Sequence, residues 1–255
     1  MKCKARTWNL STRPSIRSAV LCLASFVLMF VSCQGQPHPK PATDGTIWSA
    51  ASVGDLPQVE RLLQQGIKVD ERDNGGKTPL HYAVQSKNVK LVRLLIERGA
   101  DVNAKVSGNV TPLMLSVDMA FGDPEIALEL LKAGADVTIQ DTGGDSALLI
   151  ATTESSNEVM EAMLRKGANP NAQQRSGGTA LHYAAMNAMA DRVKILLDHG
   201  ADPGIRNSAG MTPLDVAQTT NPDSEVRKHF QATRDLLISA MQKAKPVNRS
   251  GMTSK

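Results

Sequence analysis

The chain has 255 residues and a formal net charge of +4, from 29 basic and 25 acidic residues. The positive excess comes from residues 1–32, which contain no acidic residue and five basic ones, namely Lys2, Lys4, Arg6, Arg13 and Arg17. The remaining chain is close to neutral, so the net charge gives no support to nucleic-acid binding.

The N-terminal segment has the composition of an export signal. Its basic part ends near Arg17, and residues 19–31 form an apolar run interrupted only by Ser25. Such a run is too short to span a membrane comfortably but suits the apolar region of a secretory signal. It ends at Phe30-Val31-Ser32-Cys33, which resembles the lipobox of bacterial lipoproteins. We therefore interpret residues 1–32 as a lipoprotein signal peptide, with an uncleaved anchor or an ordinary secretory signal as alternatives.

The number and positions of the cysteines are consistent with export. Cys3 and Cys22 lie in the predicted leader, so the mature chain would keep only Cys33 and could form no internal disulfide. By the resemblance, Cys33 carries the lipid anchor, including a palmitate-type acyl chain, and Gln34 favours the outer membrane over the inner. Residues 33–44 are predicted to be a Pro-rich tether. The expected location is the periplasmic side of a bacterial cell envelope.

One short pattern returns along the rest of the chain. It first stands at 78–83 as Thr-Pro-Leu-His-Tyr-Ala, and related sequences begin at Thr111, Ser146, Thr179 and Thr212. The period of about 33 residues and this signature resemble the ankyrin repeat. The resemblance implies about six units, at 45–77, 78–110, 111–145, 146–178, 179–211 and 212–244, the last of them a capping unit. Residues 245–255 are polar and predicted to be disordered.

The predicted fold is therefore all-α, an ankyrin-repeat solenoid of helix-turn-helix units with β-turn fingers. Thr78 is placed to cap the first helix of its unit, and Pro79 suits the first helical position, where no amide donor is needed. The second helices carry apolar residues at i, i+3 and i+4, which form one buried stripe per helix. Each stripe is followed by a glycine suited to a left-handed helix end, at Gly66, Gly99, Gly134, Gly167 and Gly200.

Two units depart from the pattern. The third is two residues longer, and we expect the extra length to form a loop at 119–123 between its helices. The last lacks the closing glycine, and its second helix is predicted from about Ser224 to Ala244. Its apolar face would cover the end of the stack, through Val226, Phe230, Leu237 and Met241.

The repeats show no catalytic or metal-binding pattern. His81 and His182 occupy the same position in units three repeats apart, so they follow the repeat template and cannot share a site. The histidines and cysteines have no metal-ligand spacing. The Gly-rich stretches at 73–76 and 141–144 fall in fingers, where turn chemistry explains them better than phosphate binding. The sequence therefore predicts no enzyme activity, no metal and no cofactor.

The resemblance places partner binding on a concave face, lined by the finger tips and the exposed sides of the first helices. Its contact positions flank the finger glycine and lie two-thirds along the first helix. Carried over to this sequence, they are Asn74, Lys77, Gln85, Ser86, Ser107, Val110, Asp118, Met119, Thr142, Asp145, Thr153, Glu154, Arg175, Met186, Asn187, Ser208 and Met211. We expect residues 186–189 to lie beside residues 119–121 and form an apolar anchor for a protein.

The predicted function is protein binding without catalysis, by a scaffold anchored in the bacterial envelope through Cys33. The partner is a protein of unknown identity, and neither nucleic acid nor metal is expected. One hypothesis is an inhibitor or protective factor of the immunity type for an envelope enzyme. The alternative is a structural accessory or chaperone-like factor for an envelope enzyme or complex. Hydrolase activity would need a convergent acid and base, which the sequence does not show.

Overall fold

The computed structural model describes residues 45–219 and 227–244. These residues form helices joined by turns, with one isolated β-bridge between Gln140 and Ser146. The helices are α1 (Ile47–Ser52), α2 (Leu56–Gln64), α3 (Pro79–Gln85), α4 (Val89–Glu97), α5 (Pro112–Val117), α6 (Pro124–Lys132), α7 (Ala147–Glu154), α8 (Asn157–Arg165), α9 (Ala180–Met186), α10 (Ala190–Asp198), α11 (Pro213–Thr219) and α12 (Arg227–Ala244). The predicted all-α solenoid is confirmed.

Each unit contributes an odd-numbered first helix and an even-numbered second helix. The first helices pack in a row, each against the next, and the second helices form a parallel row behind them. From α3 to α10, neighbouring first helices pack more closely than neighbouring second helices. The stack therefore bends toward the first helices and the fingers, as expected for an ankyrin solenoid.

The first helices begin at the predicted caps. The hydroxyl of Thr111 accepts a hydrogen bond from the amide of Met114 at 3.3 Å, and that of Ser146 accepts one from Leu149 at 3.2 Å. Pro79, Pro112 and Pro213 occupy the first position of their helices, where a missing amide proton loses no bond. This local chemistry fixes where each unit starts.

The second helices bury their stripes as predicted. In α4, Val92 and Leu95 are fully buried, and in α8, Met160 and Met163 are fully buried. The five closing glycines all have left-handed backbones, with φ between +83° and +90°, which a side chain would disfavour. Apolar burial between neighbouring units thus supplies the core.

The longer third unit forms the expected loop. Residues 118–123 connect α5 to α6, and Met119 at the tip is 71% exposed. Asp123 then caps α6 by accepting hydrogen bonds from the amides of Glu125 at 2.9 Å and Ile126 at 3.3 Å. The insertion therefore leaves the repeat intact.

The capping helix α12 starts at Arg227, and Phe230 and Leu237 are buried against the stack. Residues 224–226, including Val226, lie outside the described part of the chain, as do the predicted signal peptide, tether and tail. Within 45–219 and 227–244, no helix combines the length and apolar character needed to cross a bilayer.

Candidate protein-binding face

Side chains shape the finger turns. One oxygen of Asp73 accepts hydrogen bonds from the amides of Gly75 and Lys77, both at 2.8 Å. Asp141 binds the amides of Gly143 at 2.7 Å and Asp145 at 2.8 Å in the same way. These amides already face a carboxylate, so they cannot form a phosphate cradle. The interpretation of both Gly-rich stretches as turns is confirmed.

The residues after the first Gly-rich stretch are also engaged. Lys77 Nζ lies 3.3 Å from Gln85 Oε1 and 5.2 Å from the centre of the Tyr82 ring. Thr78 is fully buried in its helix cap. Although a lysine and a threonine follow two glycines here, neither is available to phosphate or a magnesium ion.

Hydrogen bonds join successive fingers into a ladder. The amides of Thr142, Arg175 and Ser208 donate to carbonyls of the preceding finger at Gly108 (2.8 Å), Gly143 (3.0 Å) and Ser176 (2.8 Å). Side chains add a second set of bonds to the next finger, from Arg72 to Lys105 O (2.9 Å), Gln140 to Gln173 O (3.4 Å) and Gln173 to Arg206 O (3.2 Å). The fingers thus form one continuous edge.

The predicted contact positions all reach the surface of this edge and of the first helices. None of the 17 is buried, and eight are exposed, namely Asn74, Ser107, Met119, Thr142, Glu154, Arg175, Asn187 and Ser208. The other nine, including Lys77, Asp145 and Met186, are partly buried. Their role in partner contact stays a prediction. Cys33 lies outside the described residues.

The expected apolar anchor is wrong in its placement. Helix α7 packs against both α5 and α9 and lies between them. The Met119 loop after α5 and the Met186 turn after α9 are therefore separated by the turn that follows α7, at residues 154–156. The repeat order dictates this separation, so Met119 and Met186 cannot form one cluster.

A row of partly buried apolar side chains runs along the middle of the first helices instead. It consists of the residue four positions after the cap in the second to fifth units, and we call this row the floor: Tyr82, Leu115, Ile150 and Tyr183. Sequence analysis missed it because an apolar residue inside a helix looks like core. The signal was the shared position in the repeat, which the structure leaves partly exposed, although Tyr82, Leu115 and Ile150 also pack against the core.

The tyrosines of the floor are tied to the fingers. The hydroxyl of Tyr82 donates to Asp73 at 2.6 Å, and that of Tyr183 contacts the amide group of Gln174. Burial and the neighbouring Asp73 raise the pKa of Tyr82 far above its usual value. Both rings are therefore neutral and held in place, which gives the floor a fixed shape.

Acidic groups surround the centre of this face. Burial, and secondarily Asp141, raises the pKa of Asp145. Partial burial, and secondarily Asp118, raises the pKa of Glu154. In the described part of the chain, no group of three or more histidines, cysteines or acids could hold a metal ion. The acids therefore place negative charge near the centre of this face, and none of them belongs to a possible metal-binding group in the described residues.

The two template histidines are structural. His81 is fully buried and His182 is 4% exposed. Each ring accepts, through Nδ1, the amide proton of its own cap residue, Thr78 or Thr179, at 3.2 Å. Burial lowers the pKa of His81 to about 4 and also lowers that of His182. Neutral, buried imidazoles in helix caps have no access to a substrate.

Comparison with known proteins agrees with this architecture. The sequence model described as ankyrin repeats matches residues 46–141, 113–207 and 148–228. The chain belongs to the ankyrin-repeat family. An ankyrin repeat-containing protein of Schizosaccharomyces pombe is 35% identical over 103 residues, which are 40% of this chain and 47% of that protein. The chain thus spans about half or less of the curated relatives it matches.

Two solved structures resemble the solenoid over most of its length. An ankyrin repeat domain from Acinetobacter baumannii is 29% identical, with a TM-score of 0.68, over 76% of this chain and 97% of the other. A chain from a complex of a Bdellovibrio bacteriovorus predatory endopeptidase with an immunity protein is 31% identical. Its TM-score is 0.64, over 78% of this chain and 97% of the other.

Proposed function

We propose that this chain is a non-catalytic scaffold that binds a partner protein on the face formed by its fingers and first helices. The observation that carries the proposal is the floor, a fixed apolar row flanked by side chains that differ from unit to unit. Burial of the floor by a partner supplies affinity, and contacts with the flanking residues supply specificity. Fold alone does not name the partner.

We propose further that the scaffold is held in a bacterial envelope by a lipid on Cys33, with outer-membrane sorting favoured by Gln34. The support is the basic and apolar leader that ends at this cysteine. Replacing Cys33 with Ser should release the protein from the membrane fraction and abolish acyl labelling. Unchanged fractionation together with unchanged labelling would exclude the anchor.

Within this function, we favour an inhibitor or protective factor of the immunity type. The support is likeness to a chain from an endopeptidase–immunity protein complex, across nearly all of that chain. A rigid face can block an enzyme by covering its active site, since binding needs little rearrangement of the scaffold. The alternative is an accessory factor that steadies an envelope enzyme or complex.

The experiment is capture of partners from envelope extracts with the mature protein. The test variant combines Arg175→Glu with Met186→Glu, both on the binding face, and should lose a partner that the native protein retains. The control is Arg165→Glu, on the second-helix side. If no partner distinguishes the test variant from the control, binding through this face is excluded.

The captured partner then decides between the two roles. Loss of its enzyme activity on adding the purified scaffold supports the immunity-type inhibitor. An increase in its activity, or a longer lifetime of its complex, supports the accessory role. The concentration dependence should follow the binding curve in either case.

A further inference from the structure

Ion pairs are distributed unevenly over the solenoid. Of the seven in the described residues, six join side chains on the second helices or at their ends. Arg93, for example, bridges Glu125 at 2.8 Å and Glu129 at 3.0 Å. The back of the solenoid thus compensates much of its charge internally.

The acids of the binding face lack such partners. Asp118, Asp145 and Glu154 form no ion pair within the described residues. Within the described residues, the carboxylate of Asp118 accepts a hydrogen bond only from the nearby amide of Ala120, at 2.8 Å. Lys77 of the same face is held over the Tyr82 ring one unit away, and Arg175, on the neighbouring finger, forms no ion pair within the described residues.

Of these acids, Asp145 has the least favourable environment for a charged carboxylate. It is partly buried, and its carboxylate shares the space around Gly143 with the carboxylate of Asp141. The Asp141 carboxylate is engaged by two finger amides, whereas the Asp145 carboxylate accepts no hydrogen bond of its own in the described structure. A desolvated carboxylate next to a like charge is unfavourable until a cation approaches.

These acids flank the apolar centre of the floor. Asp118 ends α5, three residues beyond Leu115, while Asp145 precedes α7 and Glu154 is its last residue. Ile150 lies between Asp145 and Glu154 on that helix. The middle of the binding face therefore offers an apolar strip with negative charge on both sides.

We infer that the partner presents a protein segment in which an arginine or lysine stands among apolar residues, seated over Leu115 and Ile150. This inference rests on the proposed function and specifies its partner. The apolar residues of the segment would cover the floor, and its cation would approach Asp145 or the Asp118–Glu154 pair. Charge complementarity selects against nucleic acid and against acidic segments.

Random 16-residue peptides displayed on phage and selected on the immobilised mature protein test the inference. Enriched peptides should carry Arg or Lys beside apolar residues, and their affinity should fall as salt rises. Synthetic versions measured by fluorescence anisotropy should lose about tenfold or more in affinity on Asp145→Asn with Glu154→Gln. Replacing the peptide's basic residue with Glu should abolish binding.

A matched control removes the same charge from the back of the solenoid. It combines Asp198→Asn on α10 with Glu161→Gln on α8, and peptide affinity should change less than twofold. Circular dichroism of both double variants verifies folding, which Asp145→Asn should preserve because the Asp145 carboxylate accepts no hydrogen bond in the described structure. A thermal unfolding curve close to that of the native protein completes this check.

Several outcomes overturn the inference. They are the enrichment of acidic or uncharged peptides, equal loss in the test and control variants, and failure to enrich any peptide. The capture experiment separates these from failure of the proposed function. A partner released by Met186→Glu with Arg175→Glu but retained by Asp145→Asn with Glu154→Gln would leave protein binding intact and exclude the basic segment.

Discussion

His182 Nε2 lies 3.0 Å from the carbonyl oxygen of Met211, the last residue of the same unit. Its Nδ1 accepts the amide proton of Thr179, so Nε2 carries the ring proton and donates it to the finger that closes the unit. His81 caps its own helix identically, but its Nε2 is buried and has no hydrogen-bond partner in the described structure. In the last unit Asp215 replaces the histidine and binds Thr212. The neutral His182 thus ties its helix cap to the finger that closes its unit, whereas Asp215 secures its own cap and also pairs with Arg206 of the preceding unit at 3.7 Å.

Acid should destabilise the solenoid through His81. Its pKa is about 4 when folded and 6.5 when unfolded, so the unfolded chain binds the proton more tightly. The contribution of neutral His81 to the free energy of unfolding is fully present above pH 6.5 and is lost as the pH falls through 4. At pH 4 the loss is about 3 kcal/mol. Urea unfolding of the mature protein between pH 7 and pH 4 measures this loss.

The variant His81→Gln isolates the effect, because an amide oxygen can still accept the Thr78 amide proton but does not titrate. Its free energy of unfolding should depend less on pH than that of the native protein. His199→Gln, at an exposed histidine, is the control for the substitution itself, and the change in pH dependence should be larger in His81→Gln. Identical pH dependence in His81→Gln and the native protein would contradict the assignment.

Arg192 should stabilise the junction between the fourth and fifth units. Its guanidinium donates to the carbonyls of Thr152 and Ser155, the latter at 2.6 Å, at the end of α7. Arg192→Ala leaves these carbonyls without their partner and should lower the free energy of unfolding by about 2 kcal/mol. Arg165→Ala removes an exposed arginine and should cost less than about 0.5 kcal/mol. Thermal or urea unfolding compares the two; equal losses would refute this role.

Gly177 and Gly210 should respond differently to the same substitution. Their φ angles are nearly equal, +72° and +74°, but a Cβ at Gly177 would lie 2.8 Å from Ser208 N. A Cβ at Gly210 would meet nothing within 4 Å. Gly210→Ala should therefore cost about 1 kcal/mol from backbone strain alone. Gly177→Ala should cost roughly 3 kcal/mol, because the next finger must also move. Equal losses in urea unfolding would show that the fingers accommodate the methyl group.

Ala188 should be more stable as glycine. It has a left-handed backbone, with φ of +54°, in the turn between α9 and α10. Ala188→Gly relieves this strain and should raise the free energy of unfolding by about 0.5–1 kcal/mol. Ala162→Gly, in the middle of α8, should lower it by about 1 kcal/mol. A loss of stability in Ala188→Gly, measured by thermal unfolding, would show that the methyl group makes compensating contacts.

The fold could be predicted from the sequence because the same signals for helix starts and ends recur at matching positions in successive units. Thr111 caps, Pro112 starts a helix and Gly134 ends the next one, and each requirement can be recognised without knowing the neighbours. The two-residue insertion was placed correctly because Asp123 supplied a new cap. These features depend on backbone hydrogen bonding within one unit.

The binding face was harder to predict because it depends on contacts between units. Met119 and Met186 looked like one cluster by composition, yet a whole unit separates them. Asp118 and Glu154 interact although they occupy different positions in their repeats, so alignment of the copies does not pair them. Leu115 and Ile150 were hidden among core residues. In all three cases the arrangement depends on how neighbouring units pack, which the sequence of a single unit does not show.

The finger ladder has a mechanical consequence. The third, fourth and fifth fingers are joined by both main-chain and side-chain hydrogen bonds. The first two units are joined in this region of the described structure only through side chains, from Arg72 to Lys105 O and from the Asp101 amide to Asp70. Tension applied at residue 45 would therefore peel units from the N-terminal end first. The C-terminal units would stay folded and keep any partner bound to them, while the N-terminal units extended under the tension.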